Sequence, residues 1–186
     1  TGAGKTLVSC AILAALRRRG LRVAAYKPVE TGCRTENGIR IGADCELLAR
    51  ASGGRAADVS SCLFEEPAAP LVAAEAEGRT IDRRVLVARF AEIAGAADFV
   101  LVESAGGLMV PVCDGYTTRD LAFELRLPAV CVIASRLGCI NHALLTLEVL
   151  RASRIPVAGC VMNDVGDDEA HALALRTNRN VLNRFA

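Results

Sequence analysis

Six residues constrain this chain more than any others: Thr1-Gly2-Ala3-Gly4-Lys5-Thr6. Glycines and small residues lead directly into Gly4-Lys5-Thr6, and an apolar-periodic helix follows at once. Residues without bulk let consecutive backbone N–H groups turn into one concavity that holds a phosphate. The helix behind the loop brings the positive end of its dipole to the same place. This is the end of a phosphate-binding loop. Gly2, Ala3 and Gly4 are expected to cradle a nucleotide, Lys5 to reach its outer phosphates and Thr6 to place its hydroxyl on Mg²⁺. The full pattern needs one more glycine and a buried strand ahead of residue 1, so the sequence reads as truncated there.

At 186 residues the chain suits a single domain, residues 1–186, long enough for a real core. Hydrophobic residues make up 52% and aromatics 4%, so that core is built from Ala, Val, Leu and Ile. A net charge of +1 without charge runs or a basic patch argues against a nucleic-acid binder. No apolar stretch reaches the ~18 residues of a membrane span. The eight cysteines form no Cys-x-x-Cys pair, and several sit in apolar runs. They read as small buried hydrophobes in a reducing cytoplasm rather than as a metal or disulfide framework.

The remaining segments alternate between helix and strand. Leu7, Val8, Ile12, Leu13 and Leu16 mark a helix over 7–19, closed by three arginines and Gly20. A short buried strand, 21–26, runs into Lys27-Pro28-Val29-Glu30-Thr31-Gly32. Residues 33–42 read as a mobile polar loop. Asp44 opens a helix through Ala51, and its local sequence fits an ordinary acidic first-turn residue as well as a magnesium ligand. Residues 52–81 read as irregular. Asp82 caps a helix that Gly95 closes. Phe99-Val100-Leu101-Val102-Glu103 is an apolar run ending in a carboxylate, a buried parallel strand with a metal-holding tip. Ser104-Ala105-Gly106-Gly107 follows and leaves backbone room beside a ligand. Thr117 or Thr118 caps a helix to Leu125. A strand over 129–134 leads to Ser135-Arg136-Leu137-Gly138-Cys139-Ile140-Asn141-His142, with a helix expected from Asn141 to Ala152. A strand over 156–162 ends at Asn163, and a last helix runs from Asp168 to Arg184.

Alternation of this kind predicts an α/β fold: a mostly parallel sheet, helices on both faces, of the P-loop NTPase type. The candidate segments all fall at strand ends, the edge where open α/β sheets bind ligands.

With those segments in view, the sequence resembles the dethiobiotin synthetases over nearly its whole length. Thr1–Thr6, Lys27–Gly32, Val102–Gly107, Leu137–His142 and Met162-Asn163 carry the resemblance. Leu137-Gly138-Cys139-Ile140-Asn141-His142 is the most specific of them. The resemblance implies a cytoplasmic homodimer that uses MgATP to join 7,8-diaminononanoate and CO₂ (or bicarbonate) into dethiobiotin, with ADP and phosphate released. It makes Lys5, Lys27, Thr1 and Thr31 the catalytic residues. It assigns Thr6, Asp44 and Glu103 to the metal and Asn163 to the adenine. Lys27, Thr31, Gly106, Gly107 and the segment Gly138, Cys139, Ile140, Asn141, His142 would hold the diamine substrate. The last segment would come from the neighbouring subunit and receive the substrate carboxylate. The resemblance also places a further strand before Thr1 and another after Ala186.

Two other functions share the phosphate loop. A partition-type, dimerising switch ATPase is marked by a lysine ahead of the loop glycines, outside this sequence, and lacks the Lys27-Pro28-Val29 stretch. An amide synthetase of the cobyrinate type carries a glutaminase domain for which 186 residues leave no room.

Overall fold

The computed structural model describes residues 2–164 and 172–185. Thr1 and the expected start of the last helix at Asp168 lie outside the described residues. The chain separates into two compact units, one of residues 6–125 and one of residues 1–5 with 126–186.

The larger unit is built on a parallel pair of strands. Helix α1 (Lys5–Arg18) precedes β1 (Val23–Tyr26), which pairs with β6 (Phe99–Val102) in the register Val23↔Phe99 to Tyr26↔Val102. Strand side chains alternate between faces. Val23 and Ala25 point into a cluster with Leu13 of α1 and with Cys45, Leu48 and Ala49 of α2 (Ala43–Ser52). Tyr26 points the other way, to α5 (Arg83–Ala96), where its hydroxyl donates to the Leu86 carbonyl at 3.0 Å. The pair is therefore covered by helices on both faces, as expected. Asp82 caps α5 by accepting from the Arg84 N–H, and Gly95 lies inside the helix rather than at its end.

The connections hold more structure than the sequence suggested. Residues 33–42 are a β-hairpin, β3 (Arg34–Glu36) against β4 (Ile39–Ile41), and not a loop. Its turn is Asn37-Gly38, both at positive φ, the backbone that matches the twist of a two-residue hairpin. Residues 52–81, read as irregular, contain α3 (Ala56–Val59), β5 (Cys62–Leu63) and α4 (Pro70–Ala76). Strand β5 pairs in parallel with β2 (Val29–Glu30). Beyond β6, β7 (Pro111–Cys113) and β8 (Tyr116–Thr117) form a second hairpin ahead of α6 (Thr118–Leu125).

The smaller unit repeats the plan. Strand β9 (Ala129–Ala134) lies parallel to β10 (Val157–Asn163), with α7 (Cys139–Ala152) between them in the chain and α8 (Ala172–Leu182) after them. Ile133 and Met162 pack with Cys139, Ile140, Ala143 and Leu144 of α7 and with Leu182 of α8. Helix α7 begins at Cys139, two residues before the expected Asn141, because Gly138 supplies the left-handed backbone that turns the chain into it.

Replacing Leu48 by Ala should cost about 2–5 kcal/mol, because the side chain is fully buried among α1, β1 and α2. Leu7→Ala, on the exposed side of α1, should cost under about 0.5 kcal/mol. Urea unfolding compares the two, and equal costs would contradict the packing described.

Candidate functional site

Parallel register delivers the first pair of functional groups. The rung after Tyr26↔Val102 places Lys27 beside Glu103, both just beyond their strands, and the Glu103 N–H still donates to the Tyr26 carbonyl at 2.8 Å. Lys27 Nζ lies 3.0 Å from Glu103 Oε1 and 2.5 Å from Asp44 Oδ2. Asp44 comes from the first turn of α2. Thr6, in the first turn of α1, donates its hydroxyl to Asp44 Oδ1 at 3.0 Å or to Glu103 Oε1 at 2.8 Å. Four chain segments thus converge on one cluster of two carboxylates, one ammonium and one hydroxyl.

Burial makes this arrangement demanding. Lys27 is 4% exposed and Glu103 3%. Burial alone would push the Lys27 ammonium toward losing its proton. The Glu103 charge and the hydrogen bond to Asp44 outweigh burial and hold its pKa above the usual lysine value. Lys27 thus remains a cation throughout the neutral range. Cys10, one turn along α1, feels the same field: burial first, then Glu103 and Asp44, raise its thiol pKa.

Sequence reasoning missed Ser9. Its hydroxyl donates to Glu103 Oε2 at 2.7 Å, and the residue is buried. Glu103 therefore accepts on one oxygen from Lys27 and Thr6 and on the other from Ser9, which fixes the plane of its carboxylate. The available signal was spacing: Thr6 and Ser9 are three apart on one helix face, in line with buried Leu13. Glu30 was also missed. It lies in the Lys27–Gly32 stretch and is buried, with both carboxylate oxygens bonded to backbone N–H groups of α2.

In the smaller unit, the end of β10 meets the glycine-rich loop. Asn163 donates from Nδ2 to the Ala3 carbonyl at 3.1 Å. Gly4 has φ +78°, and a Cβ there would overlap the Asn163 amide, so both backbone and space call for glycine. Gly2 also has positive φ. Lys5 opens α1 and is half-buried. The Gly138–His142 segment forms the start of α7, whose N-terminus no side chain caps; Asn141 and His142 are exposed there and Cys139 is buried. Thr31 is half-buried just past β2, and its hydroxyl makes no hydrogen bond to the Lys27 cluster. Gly106 has positive φ and packs against Val110, while Gly107 is open. Thr1 lies outside the described residues.

Among the eight cysteines, all free, Cys33, Cys45 and Cys139 are buried as expected, whereas Cys160 is exposed. Among the described residues no helix is long and apolar enough to cross a membrane.

A glycine-rich sequence opening α1, with the Thr6 hydroxyl meeting one carboxylate at a strand end and another in the first turn of α2 on a parallel α/β scaffold, defines a P-loop nucleotide-binding protein. Residues 1–185 match a domain family described as an AAA domain. The ATP-dependent dethiobiotin synthetase BioD 1 of Escherichia coli (strain K12) is 40% identical over 168 residues, 89% of this chain and 74% of the relative. The ATP-dependent dethiobiotin synthetase BioD of Nitrosospira multiformis is 42% identical over 172 residues, 91% of this chain and 74% of the relative. The chain belongs to the ATP-dependent dethiobiotin synthetase family.

Ser9→Ala should destabilise the protein by about 1–3 kcal/mol, because a buried Glu103 oxygen loses its donor. A change below about 0.5 kcal/mol in urea unfolding would mean that water replaces the hydroxyl without loss.

Proposed function

We propose that this chain closes a cyclic urea: 7,8-diaminononanoate, CO₂ and MgATP give dethiobiotin, ADP and phosphate. The observation that carries the reading is the buried Lys27 ammonium, held by Glu103 and Asp44 beside the Thr6 hydroxyl, in a chain about 40% identical to synthetases of that name. Such chemistry accumulates negative charge on a carbamate and a transferring phosphoryl group, so its site needs fixed cations.

In the first step one amine nitrogen attacks CO₂, forming the C–N bond and losing a proton to leave a carbamate. A carbamate oxygen then attacks the γ-phosphorus as the bond to the β-phosphate oxygen breaks and ADP departs. The second amine attacks the carbonyl carbon of this mixed anhydride. The C–O bond breaks, phosphate leaves with the electron pair, and the amine gives up its proton as the ring closes. Lys27 holds the carbamate and Thr31 donates to it. Thr1 donates to carbamate or phosphate, and Gly106 and Gly107 let the substrate approach the backbone. The Gly2–Gly4 amides and Lys5 hold the phosphates, and Asn163 meets the adenine. Thr6, Asp44 and Glu103 form a set of hard oxygen donors that fits Mg²⁺, and the bound ion supplies charge neutralisation at the phosphates. Eight free thiols suit a reducing cytoplasm.

The direct test is ADP release that requires both the diamine and bicarbonate. ATP hydrolysis indifferent to the diamine would favour a switch ATPase instead. Lys27→Gln should lower turnover on the order of a hundredfold while ATP affinity stays within about threefold. A collapse of ATP affinity with turnover intact would move Lys27 to the nucleotide.

The working unit is proposed to be a homodimer with shared sites. Gly138 turns the chain into an α7 N-terminus that no side chain caps, a fit for the substrate carboxylate from the neighbouring subunit. Gly138→Val and Lys5→Ala should each be nearly inactive alone. Mixed, they should recover up to roughly one quarter of the wild-type rate, given random exchange and independent sites. No recovery despite demonstrated exchange would mean that each site is built within one chain.

A further inference from the structure

Helix α2 presents Asp44 to the Lys27 cluster, yet its own N-cap residue, Gly42, has no side chain to close the helix. The cap is supplied from elsewhere. Glu30 accepts the Asp44 N–H at Oε1 and the Cys45 N–H at Oε2, each at 2.9 Å. Only glycine leaves space for it, since a Cβ at residue 42 would overlap the Glu30 carboxylate. Glu30 itself is firmly placed: it is 5% exposed, lies in β2 paired with β5, and gives its carbonyl to the Phe64 N–H at 3.0 Å. A carboxylate so far from water needs compensation, and two N–H groups at a helix's positive end provide it.

The segment that carries Lys27 therefore grips Asp44 twice. Lys27 takes its side chain and Glu30 its backbone, three residues apart in the chain. The Asp44 side chain is 36% exposed, so hydrogen bonds rather than close packing set its position. Its Oδ1 must stay about one hydrogen bond from Thr6, at 3.0 Å. A shift of about 1 Å in the first turn of α2 would break that contact.

We propose that Glu30 is a positioning residue, whose buried carboxylate, seated over Gly42, fixes the first turn of α2 so that Asp44 meets the cation it shares with Thr6 and Glu103. The proposal rests on the reading of Asp44 as a metal-holding residue and extends it to a residue that touches neither metal nor substrate.

Mn²⁺ serves as the probe, its binding in the ATP complex followed by electron paramagnetic resonance. Glu30→Gln keeps the shape, removes the charge and turns an amide NH₂ toward one of the two N–H groups. It should weaken Mn²⁺ binding roughly tenfold, and Asp44→Asn should weaken it at least as much. In the double variant, Glu30→Gln should add less than about twofold to Asp44→Asn, because it acts through that side chain. A lower melting temperature with unchanged Mn²⁺ affinity would reduce Glu30 to a helix cap and overturn the proposal. So would effects that multiply in the double variant. Unchanged affinity in Asp44→Asn itself would instead remove the metal reading beneath it. If Glu30→Gln does not fold, Glu30→Asp carries the same measurement. Failure of both to fold would make Glu30 a support of the whole unit and count against the proposal.

Discussion

Everything in the larger unit depends on how one buried ammonium is kept charged. Lys27 lies at the end of a strand with almost no access to water, a position that would deprotonate an isolated lysine. Glu103 and Asp44 prevent this, and each needs support in turn. Glu103 takes Ser9 from α1, Thr6 donates to either Glu103 or Asp44, and the Asp44 backbone N–H goes to Glu30. The groups form a connected network in which the buried Lys27 and Glu103 charges face each other directly. Such networks hold geometry well when fully satisfied and are costly when one member is lost. A site for phosphate chemistry benefits from this, because its dipoles and charges are already aimed before the substrate arrives.

Much of this was legible in the sequence, for physical reasons specific to each segment. Gly4-Lys5-Thr6 announces itself because few residue types can form a phosphate nest. The run from Phe99 to Val102 is apolar throughout, so Glu103 stands out as the carboxylate at its tip. Lys27-Pro28 marks the end of β1, since proline cannot donate to a ladder. From those local facts, the meeting of Lys27 with Glu103 follows once the strands are parallel and neighbouring.

What was not legible depends on long-range pairing or on unremarkable residue types. Ser9 resembles any serine in a helix until Glu103, 94 residues away, is brought to it. Glu30 reads as a loop acid until the Gly42 gap is visible across from it. The β3–β4 hairpin reads as a loop in the sequence because Arg34-Thr35-Glu36 is polar and exposed, with no apolar alternation to reveal a strand. The Asn37-Gly38 pair was the one local sign, and it carries the turn. Helix α7 starts earlier than its polar residues suggest, because a glycine at positive φ, rather than a side-chain cap, makes the turn.

The pairing of β1 with β6 has a consequence for how the chain finds its fold. The two strands are nearly featureless: Val, Ala, Ala and Tyr against Phe, Val, Leu and Val. Such apolar faces tolerate sliding, and a slip by one residue would still bury hydrocarbon. It would also set Lys27 against Val102 or Ser104 and leave an ammonium and a carboxylate buried without each other, a fault of several kcal/mol. At the opposite end Arg22 grips Asp98, through its backbone N–H at 2.9 Å and through its guanidinium. Charge pairs at both ends thus proofread a ladder whose own rungs cannot tell one alignment from the next.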